Sequence, residues 1–149
     1  MKIGIANDHG GVDLKNKLIP FLEEKGYEVI NYGSDTTERV DYPIYGFKVA
    51  EALKNKEIDY GIAICKSAIG MSVACNKVKG ARCGKVDSVY DAEHGKSNDY
   101  INIIAISGSL DIEEAKVLVD TFIKTKHKED TRYYERVEKI INYEKEGKL

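Results

Sequence analysis

The chain has 149 residues, which suits one domain and leaves too little sequence for two well-packed ones. Lysine and arginine total 23 and aspartate and glutamate total 25, so the net charge is −2 and no positive field is available to attract nucleic acid or an anionic membrane surface. The longest apolar runs are a third or less of the ~20 residues that cross a bilayer, so we expect no membrane partner.

Apolar runs of strand length alternate with amphipathic runs of helix length along the chain. This alternation is typical of a parallel sheet that is covered by helices on both faces. Strands are predicted at 2–6, 27–32, 60–64, 81–86 and 101–106, and helices at about 12–25, 43–54, 69–77, 88–94, 112–126 and 131–145. Because no linker or repeat interrupts the pattern, we predict a single α/β domain over residues 1–149. Its expected architecture is a three-layer, Rossmann-like α/β/α fold with a five-stranded parallel sheet.

The first strand is followed by the residues Asn7-Asp8-His9-Gly10-Gly11. In open parallel sheets, ligands bind beyond the carboxyl ends of the strands, where loops lead into helices. Exposed backbone N–H groups of a glycine-containing helix start attract anions. Asp8 and His9 are therefore candidate site residues, although a capping aspartate beside a surface histidine would give the same pattern.

The third strand is followed by the residues Cys65-Lys66-Ser67-Ala68-Ile69-Gly70. A thiol at this point is predicted to face the start of a helix, where the partial positive charge favours the thiolate form. Such a thiolate can act as a base or a nucleophile. The alternative is an inert cysteine that closes a buried strand, and this is our interpretation of Cys75 and Cys83.

Two further segments carry polar groups whose interpretation stays open on the residues alone. Arg132 and Arg136 lie four residues apart on a predicted helix, so they share one face and could clamp a phosphate. They could equally form a solvated face balanced by neighbouring glutamates. Asn98-Asp99 precedes the last strand and is typical of a capped turn.

The sequence contains no pattern that predicts a cofactor or a metal. No Gly-x-Gly-x-x-Gly follows the first strand and no Walker-type lysine loop is present. No His/Cys/Asp/Glu spacing resembles a metal site. Three cysteines at spacings of ten and eight residues suit no disulfide framework, so a reducing cytoplasm is the expected location.

Several short motifs, taken in order, resemble the type-B ribose-5-phosphate isomerases and the related galactose-6-phosphate isomerases. The residues that carry the resemblance are Asp8-His9-Gly10-Gly11, Val40-Asp41-Tyr42-Pro43, Cys65, Ile69-Gly70-Met71-Ser72, Asn76-Lys77-Val78, Gly80-Ala81-Arg82, Arg132 and Arg136-Val137. The resemblance implies an aldose–ketose isomerase that acts on a sugar phosphate through a cis-enediolate, without metal or cofactor. It also implies a homodimer or tetramer with shared active sites, in which the C-terminal helix packs on a partner.

The same resemblance implies a role for each matching residue. Cys65 would be the base, the loop from Lys66 to Gly70 would offer N–H groups to the enediolate oxygen, and Asp8 would hold sugar hydroxyls or assist ring opening. His9, Arg132 and Arg136 would grip the phosphate, in a crevice towards which the Cys65 sulfur points. The predicted catalytic residues are Asp8, Cys65, Ser67 and Asn98, and the predicted substrate-binding residues are Asp8, His9, Tyr42, Lys66, Ser67, Ala68, Ile69, Gly70, Asp99, Arg132 and Arg136.

This chain departs from the family pattern inside the expected site. Lys66 and Ala68 stand where the family usually has glycine, and Asn98 stands where it usually has the ring-opening histidine. His94 could substitute only if it is brought close to that position. A family arginine is replaced by Ser109, and Tyr133 replaces a histidine.

These departures leave more than one function open. A divergent isomerase could act on a short or acyclic sugar phosphate, such as a tetrulose phosphate, and ribose 5-phosphate is the more conventional substrate. The chain could also be a sugar-phosphate-binding or non-catalytic subunit of a mixed isomerase. A flavodoxin-like interaction module without catalysis is the weakest of these readings.

Overall fold

The structure is a computed structural model that describes residues 1–148. Its centre is one sheet of five parallel strands in the order β2-β1-β3-β5-β4. The strands are β1 (Lys2–Asn7), β2 (Glu28–Asn31), β3 (Tyr60–Cys65), β4 (Cys83–Lys85) and β5 (Ile103–Ser107). The predicted α/β class and the five-stranded parallel sheet are confirmed. The prediction of one domain over 1–149 includes Leu149, which lies outside the described residues.

Six helices surround the sheet. They are α1 (Val12–Glu24), α2 (Tyr42–Lys54), α3 (Ile69–Cys75), α4 (Val89–Asn98), α5 (Ile112–Lys124) and α6 (Thr131–Glu146), and a short 3-10 turn at His9–Gly11 precedes α1. One face of the sheet packs against α1, α4 and α5, and the other face packs against α2 and α3. The result is the predicted three-layer arrangement.

Both faces of the central strands are buried, and alternate side chains enter different halves of the core. In β3, Ile62 and Ile64 pack with the α1, α4 and α5 layer, whereas Ala63 and Cys65 pack with the α2 and α3 layer. This period of two is the geometry of an extended strand. It directs the side chain of Cys65 towards the layer that contains α3.

Several predicted boundaries differ from the structure by a few residues, and two of them do so for identifiable reasons. Helix α4 continues to Asn98 instead of ending near residue 94, because Gly95 is needed for packing and does not act as a stop: a Cβ there would lie 2.8 Å from Ile101. Strand β4 begins at Cys83 instead of residue 81, because the Arg82 N–H donates to the Asn102 side chain at 2.7 Å. Asn98 is therefore the last residue of a helix and not part of a loop.

Helix α6 is only partly covered by its own chain. Val137 is buried, whereas Tyr134, Ile140 and Tyr143 are more than half exposed. The prediction that this helix packs on a partner stays a prediction. No helix within residues 1–148 has the length and apolar character that a membrane span requires.

Candidate functional site

The carboxyl ends of β1, β3 and β5 are neighbours in the sheet, and the loops that follow them meet. Gly10 and Gly108 approach so closely that a Cβ at Gly108 would lie 2.1 Å from the Gly10 carbonyl oxygen. A Cβ at Gly10 would lie 3.4 Å from the Lys66 nitrogen. These contacts bring the segments after the first, third and fifth strands to one edge, which is where the sequence analysis placed the site.

Asp8 lies at this edge with its carboxylate held in place. It is only 7% exposed, and its Oδ1 accepts a hydrogen bond from the Gly10 N–H at 2.9 Å. The backbone carbonyl of Asp8 accepts from the side-chain amide of Asn7 at 2.8 Å, and the same amide donates to the Ser34 carbonyl at 2.9 Å. Asn7, which the sequence analysis did not select, therefore joins the start of the site to the loop after β2.

His9 is oriented by the loop that connects β2 to α2. Its Nδ1 accepts a hydrogen bond from the Val40 N–H at 3.2 Å. Because Nδ1 is the acceptor, the proton of the neutral imidazole is assigned to Nε2. His9 can thus offer its Nε2–H as a hydrogen-bond donor to an anion at this edge.

The loop that orients His9 is itself held by a buried lysine. Lys15 lies on the inner face of α1 with no exposed surface, and its ammonium donates to the Ser34 carbonyl at 2.7 Å and to the carboxylate of Asp35. The hydrogen bond from Lys15 is the largest cause of a lowered pKa at Asp35. Lys15 was also missed from the sequence, because a lysine in an amphipathic helix ordinarily faces solvent.

Cys65 ends β3 and is only 4% exposed. Its side chain belongs to the apolar cluster shared with Ala68, Met71 and Ala105. Its carbonyl accepts from the Gly108 N–H at 2.9 Å, which fixes the strand end against the loop after β5. Within one chain the side chain of Cys65 is covered, so the expectation of a thiol open to a crevice stays a prediction for an assembly of chains.

The loop that follows Cys65 leaves two backbone donors free. The N–H groups of Lys66 and Ser67 have no acceptor within residues 1–148, while the Ile69 N–H is capped by the Ser67 hydroxyl at 3.3 Å. Ala68 adopts a left-handed backbone conformation with φ of 65° and is completely buried. The loop thus keeps a conformation that favours glycine although an alanine occupies it.

Two further contacts define the walls of this edge. The ring of Tyr42, the first residue of α2, lies against Gly70, where a Cβ would be 2.8 Å from the ring carbons. The Ser107 hydroxyl donates to the Lys66 carbonyl at 2.6 Å and accepts from the Ser109 N–H at 3.1 Å. Ser107 was not predicted, although a polar residue directly after a neighbouring parallel strand is a signal that could have found it.

The remaining predicted residues lie at the other edge of the sheet. Helix α4 starts beyond the carboxyl end of β4 and returns to the amino end of β5, so Asn98 and Asp99 are about the length of β3, roughly 17 Å, from the Cys65 edge. Arg132 and Arg136 begin α6 just after Lys128, whose N–H donates to the Ser97 carbonyl at 2.9 Å. The expectation that both guanidinium groups share a crevice with Cys65 is therefore wrong within a single chain.

The amino-edge residues form a cluster of their own. The Asn98 amide lies 3.1 Å from the His94 Nδ1, and the Tyr90 hydroxyl lies 3.2 Å from the same nitrogen. His94 Nε2 lies 4.0 Å from a carboxylate oxygen of Asp99. An imidazole is therefore present one helical turn from the position that Asn98 occupies.

A model of the family described as ribose/galactose isomerase matches residues 3–140. The chain belongs to this family. A solved structure of ribose-5-phosphate isomerase B from Clostridium thermocellum is similar over 99% of both chains, with a TM-score of 0.94 and 42% identity. Ribose-5-phosphate isomerase B of Escherichia coli strain K12 is 37% identical over 144 residues, or 96% of each chain.

A third relative belongs to the galactose branch of the family. The galactose-6-phosphate isomerase subunit LacB of Clostridium acetobutylicum is 33% identical over 149 residues, covering 97% of this chain and 86% of the relative. The predicted resemblance to both branches is confirmed, and the chain is an aldose–ketose isomerase of the ribose/galactose isomerase family.

Proposed function

We propose that this chain interconverts the aldose and ketose forms of a sugar phosphate through a cis-enediolate, with the Cys65 thiolate as the base. One observation carries the proposal. Cys65, at the end of β3, lies at the same edge of the sheet as Asp8 and His9. The next two residues, Lys66 and Ser67, have backbone N–H groups without an acceptor within residues 1–148. The chemistry of an isomerase needs a base and fixed oxyanion donors at one point, and this edge offers both.

The proposed steps balance without a cofactor. The thiolate removes the proton from C2 of the open-chain aldose, the C–H electrons form the C1–C2 double bond, and the carbonyl oxygen O1 becomes the enediolate oxygen. The free N–H groups of the loop stabilise this charge, at a typical value of ~3 kcal/mol per donor. The proton of the C2 hydroxyl then passes to O1, and the C2 oxygen becomes the ketose carbonyl as the electrons of the C1–C2 double bond take the thiol proton at C1. This step regenerates the thiolate.

We propose that groups from two copies of the chain bind the phosphate together. His9 offers its Nε2–H at the Cys65 edge, whereas Arg132 and Arg136 lie at the opposite edge of their own chain. A two-fold arrangement of two copies would place the arginines of one against the crevice of the other. Asn98 and Asp99 would then enter the same shared site, together with the neighbouring His94.

The proposed substrate is ribose 5-phosphate or a related sugar phosphate of four to six carbons. Asn98 cannot donate a proton at neutral pH as an acid does, so a cyclic substrate would depend on His94 for ring opening. A short acyclic sugar phosphate needs no ring opening. The side chain of Lys66, next to Gly10, takes up space that a glycine would leave open, which favours a smaller substrate, whereas the methyl group of Ala68 is buried.

The test is a coupled assay over a panel of four- to six-carbon sugar phosphates. We expect Cys65→Ala to lower kcat by about 10²- to 10⁴-fold, the usual contribution of a general base, while Cys75→Ala, at a buried thiol outside the site, keeps near-normal activity. Asn98→His should raise turnover of cyclic substrates more than of acyclic ones. Undiminished turnover by Cys65→Ala would contradict the thiolate mechanism.

A second candidate function is that of a non-catalytic, sugar-phosphate-binding subunit of a mixed isomerase. The observation that favours it is Asn98 at the ring-opening position, together with the similarity to a relative named as a subunit of galactose-6-phosphate isomerase. Saturable binding of the panel compounds with no turnover by the purified chain would support this function over the first.

A further inference from the structure

A cavity of about 460 Å³ lies at the amino edge of the sheet, away from the Cys65 edge. It is an open depression lined by the start of β3, the end of α4, the end of α5 and the segment that follows α5. Tyr27 and Tyr60 supply aromatic walls, and Lys96, Lys124, Lys126 and His127 supply nitrogen groups. Its volume falls in the usual range of small-molecule sites, which is about 300–1,000 Å³.

Lys96 is the unusual member of this lining because it is buried without a counter-charge. Only 1% of its surface is exposed, and within residues 1–148 no carboxylate lies within 4.0 Å of its ammonium. The ammonium donates to the Phe122 carbonyl at 3.2 Å and lies 3.3 Å from the ring centroid of Tyr60. The ring of Phe122 is the second aromatic face, at 4.5 Å from the ammonium. One hydrogen-bond acceptor and two aromatic faces provide no formal negative charge, so the ammonium has no counter-charge here.

The surroundings of Lys96 add positive charge and little negative charge. Lys126 has no ion-pair partner within residues 1–148, and Lys124 shares Asp120 with Lys25 at 2.9 and 3.1 Å. Burial lowers the pKa of Lys96 to about 8, and burial followed by the charges of Lys96 and Arg82 lowers the pKa of His127. Both shifts are the response of basic groups in a cationic, partly desolvated environment.

We propose that this cavity is a second binding site, for a small phosphate-bearing anion whose negative charge pairs with Lys96. A phosphate group has several acceptor oxygens, so it can accept hydrogen bonds from more than one of the lining nitrogen groups of Lys96, Lys126 and His127. The tyrosine walls leave room for a small organic part of a phosphate ester. The lining of this cavity includes none of the proposed catalytic or substrate-binding residues, although it lies at the same edge of the sheet as Asn98, Arg132 and Arg136.

The test is an NMR titration of the full chain with inorganic phosphate, followed at individual backbone amides. We expect saturable shifts at the amides of Lys96 and of residues 123–127, which separates this cavity from phosphate bound near His9 or Arg132. Lys96→Met should raise the phosphate Kd for these amides about tenfold or more, because a buried charge-assisted hydrogen bond is lost. Lys126→Gln should raise it about two- to fivefold without altering the core.

The matched control is Lys48→Met, because Lys48 also lies over an aromatic ring, at 5.1 Å from the centroid of Tyr45, but outside the cavity. The phosphate Kd of this variant, measured at the same amides, should be unchanged.

Calorimetry at about pH 8 gives a second measurement. Pairing with an anion should protonate Lys96, so the binding enthalpy should depend on the buffer. Tighter binding of glycerol 2-phosphate than of inorganic phosphate would identify an ester as the ligand, and the reverse would identify the free ion. Absence of shifts at 123–127, or equal affinity of the Lys96→Met and Lys126→Gln variants and the wild type, would overturn the proposal.

Discussion

At the scale of single residues, Ala68 shows how a loop can keep a glycine conformation without glycine. Its φ of 65° destabilises the folded state by about 1–2 kcal/mol for an alanine, and a glycine would not have this strain. Packing of its buried methyl group offsets part of this destabilisation. We therefore expect Ala68→Gly to change the free energy of unfolding by less than about 0.5 kcal/mol, as measured by urea denaturation.

Ala74→Gly is the matched control for Ala68. Both alanines are buried beside the same apolar layer, but Ala74 lies within helix α3 with an ordinary helical backbone. Loss of helix propensity and of the methyl group should destabilise this variant by about 1.5–2 kcal/mol. Equal losses at both positions would mean that the left-handed backbone of Ala68 carries no strain.

Lys96 makes the stability of the protein depend on pH. Its pKa is about 8 in the folded chain and about 10.4 when unfolded, so between these values the unfolded chain binds a proton that the folded chain lacks. Stability should therefore fall as the pH drops from about 10 to about 8, with the full cost present below that window. In phosphate-free buffer, Lys96→Met should be more stable than wild type by about 2–3 kcal/mol near pH 7, and this advantage should shrink towards pH 10 in urea denaturation. An advantage that is constant with pH would contradict the shift.

At the scale of elements, the connection from β2 to α2 is ordered by two side chains from outside it. Asn7 and Lys15 both donate to the Ser34 carbonyl, and the far end of this loop holds His9 through the Val40 N–H. We expect Lys15→Met to speed amide hydrogen exchange at residues 33–41 while leaving exchange in β3 and β5 slow. Exposed Lys17 on the same helix gives the control, since Lys17→Met should leave that loop unchanged. Faster exchange spread evenly over the sheet would show a global role instead of a local one.

The order and type of every strand and helix could be predicted from the sequence, because buried parallel strands and amphipathic helices have distinct periods. The residues at which these elements begin and end could not be predicted. In the sequence, Gly95 is typical of a helix end, and only its contact with Ile101 explains why α4 continues beyond it. The burial of Lys15 and Lys96 could not be predicted for a similar reason. Whether a helical lysine directs its ammonium into the core depends on partners from other elements. The partner of Lys15 is Ser34, and the partners of Lys96 are Phe122 and Tyr60.

At the scale of the whole molecule, the candidate site is divided between two edges. Asp8, His9 and Cys65 could be predicted together because parallel strands deliver their following loops to one edge. Arg132 and Arg136 follow no strand of the sheet, and their spacing alone could not say which edge they reach. Only the path of α4 and the contact between Lys128 and Ser97 place them at the amino edge.

This division leads to a prediction about mixed assemblies. If the working site combines the Cys65 edge of one copy with the arginines of another, Cys65→Ala and the double variant Arg132→Gln/Arg136→Gln should each be nearly inactive alone. When the two are unfolded and refolded together in equal amounts, half of the dimers are mixed, and each mixed dimer holds one intact site and one doubly defective site. The mixture should therefore recover about a quarter of wild-type activity in the coupled assay. A mixture refolded from Cys65→Ala alone gives the baseline. Recovery no greater than that baseline would contradict a site shared between chains. Full activity of the double arginine variant alone would exclude the arginines from the reaction.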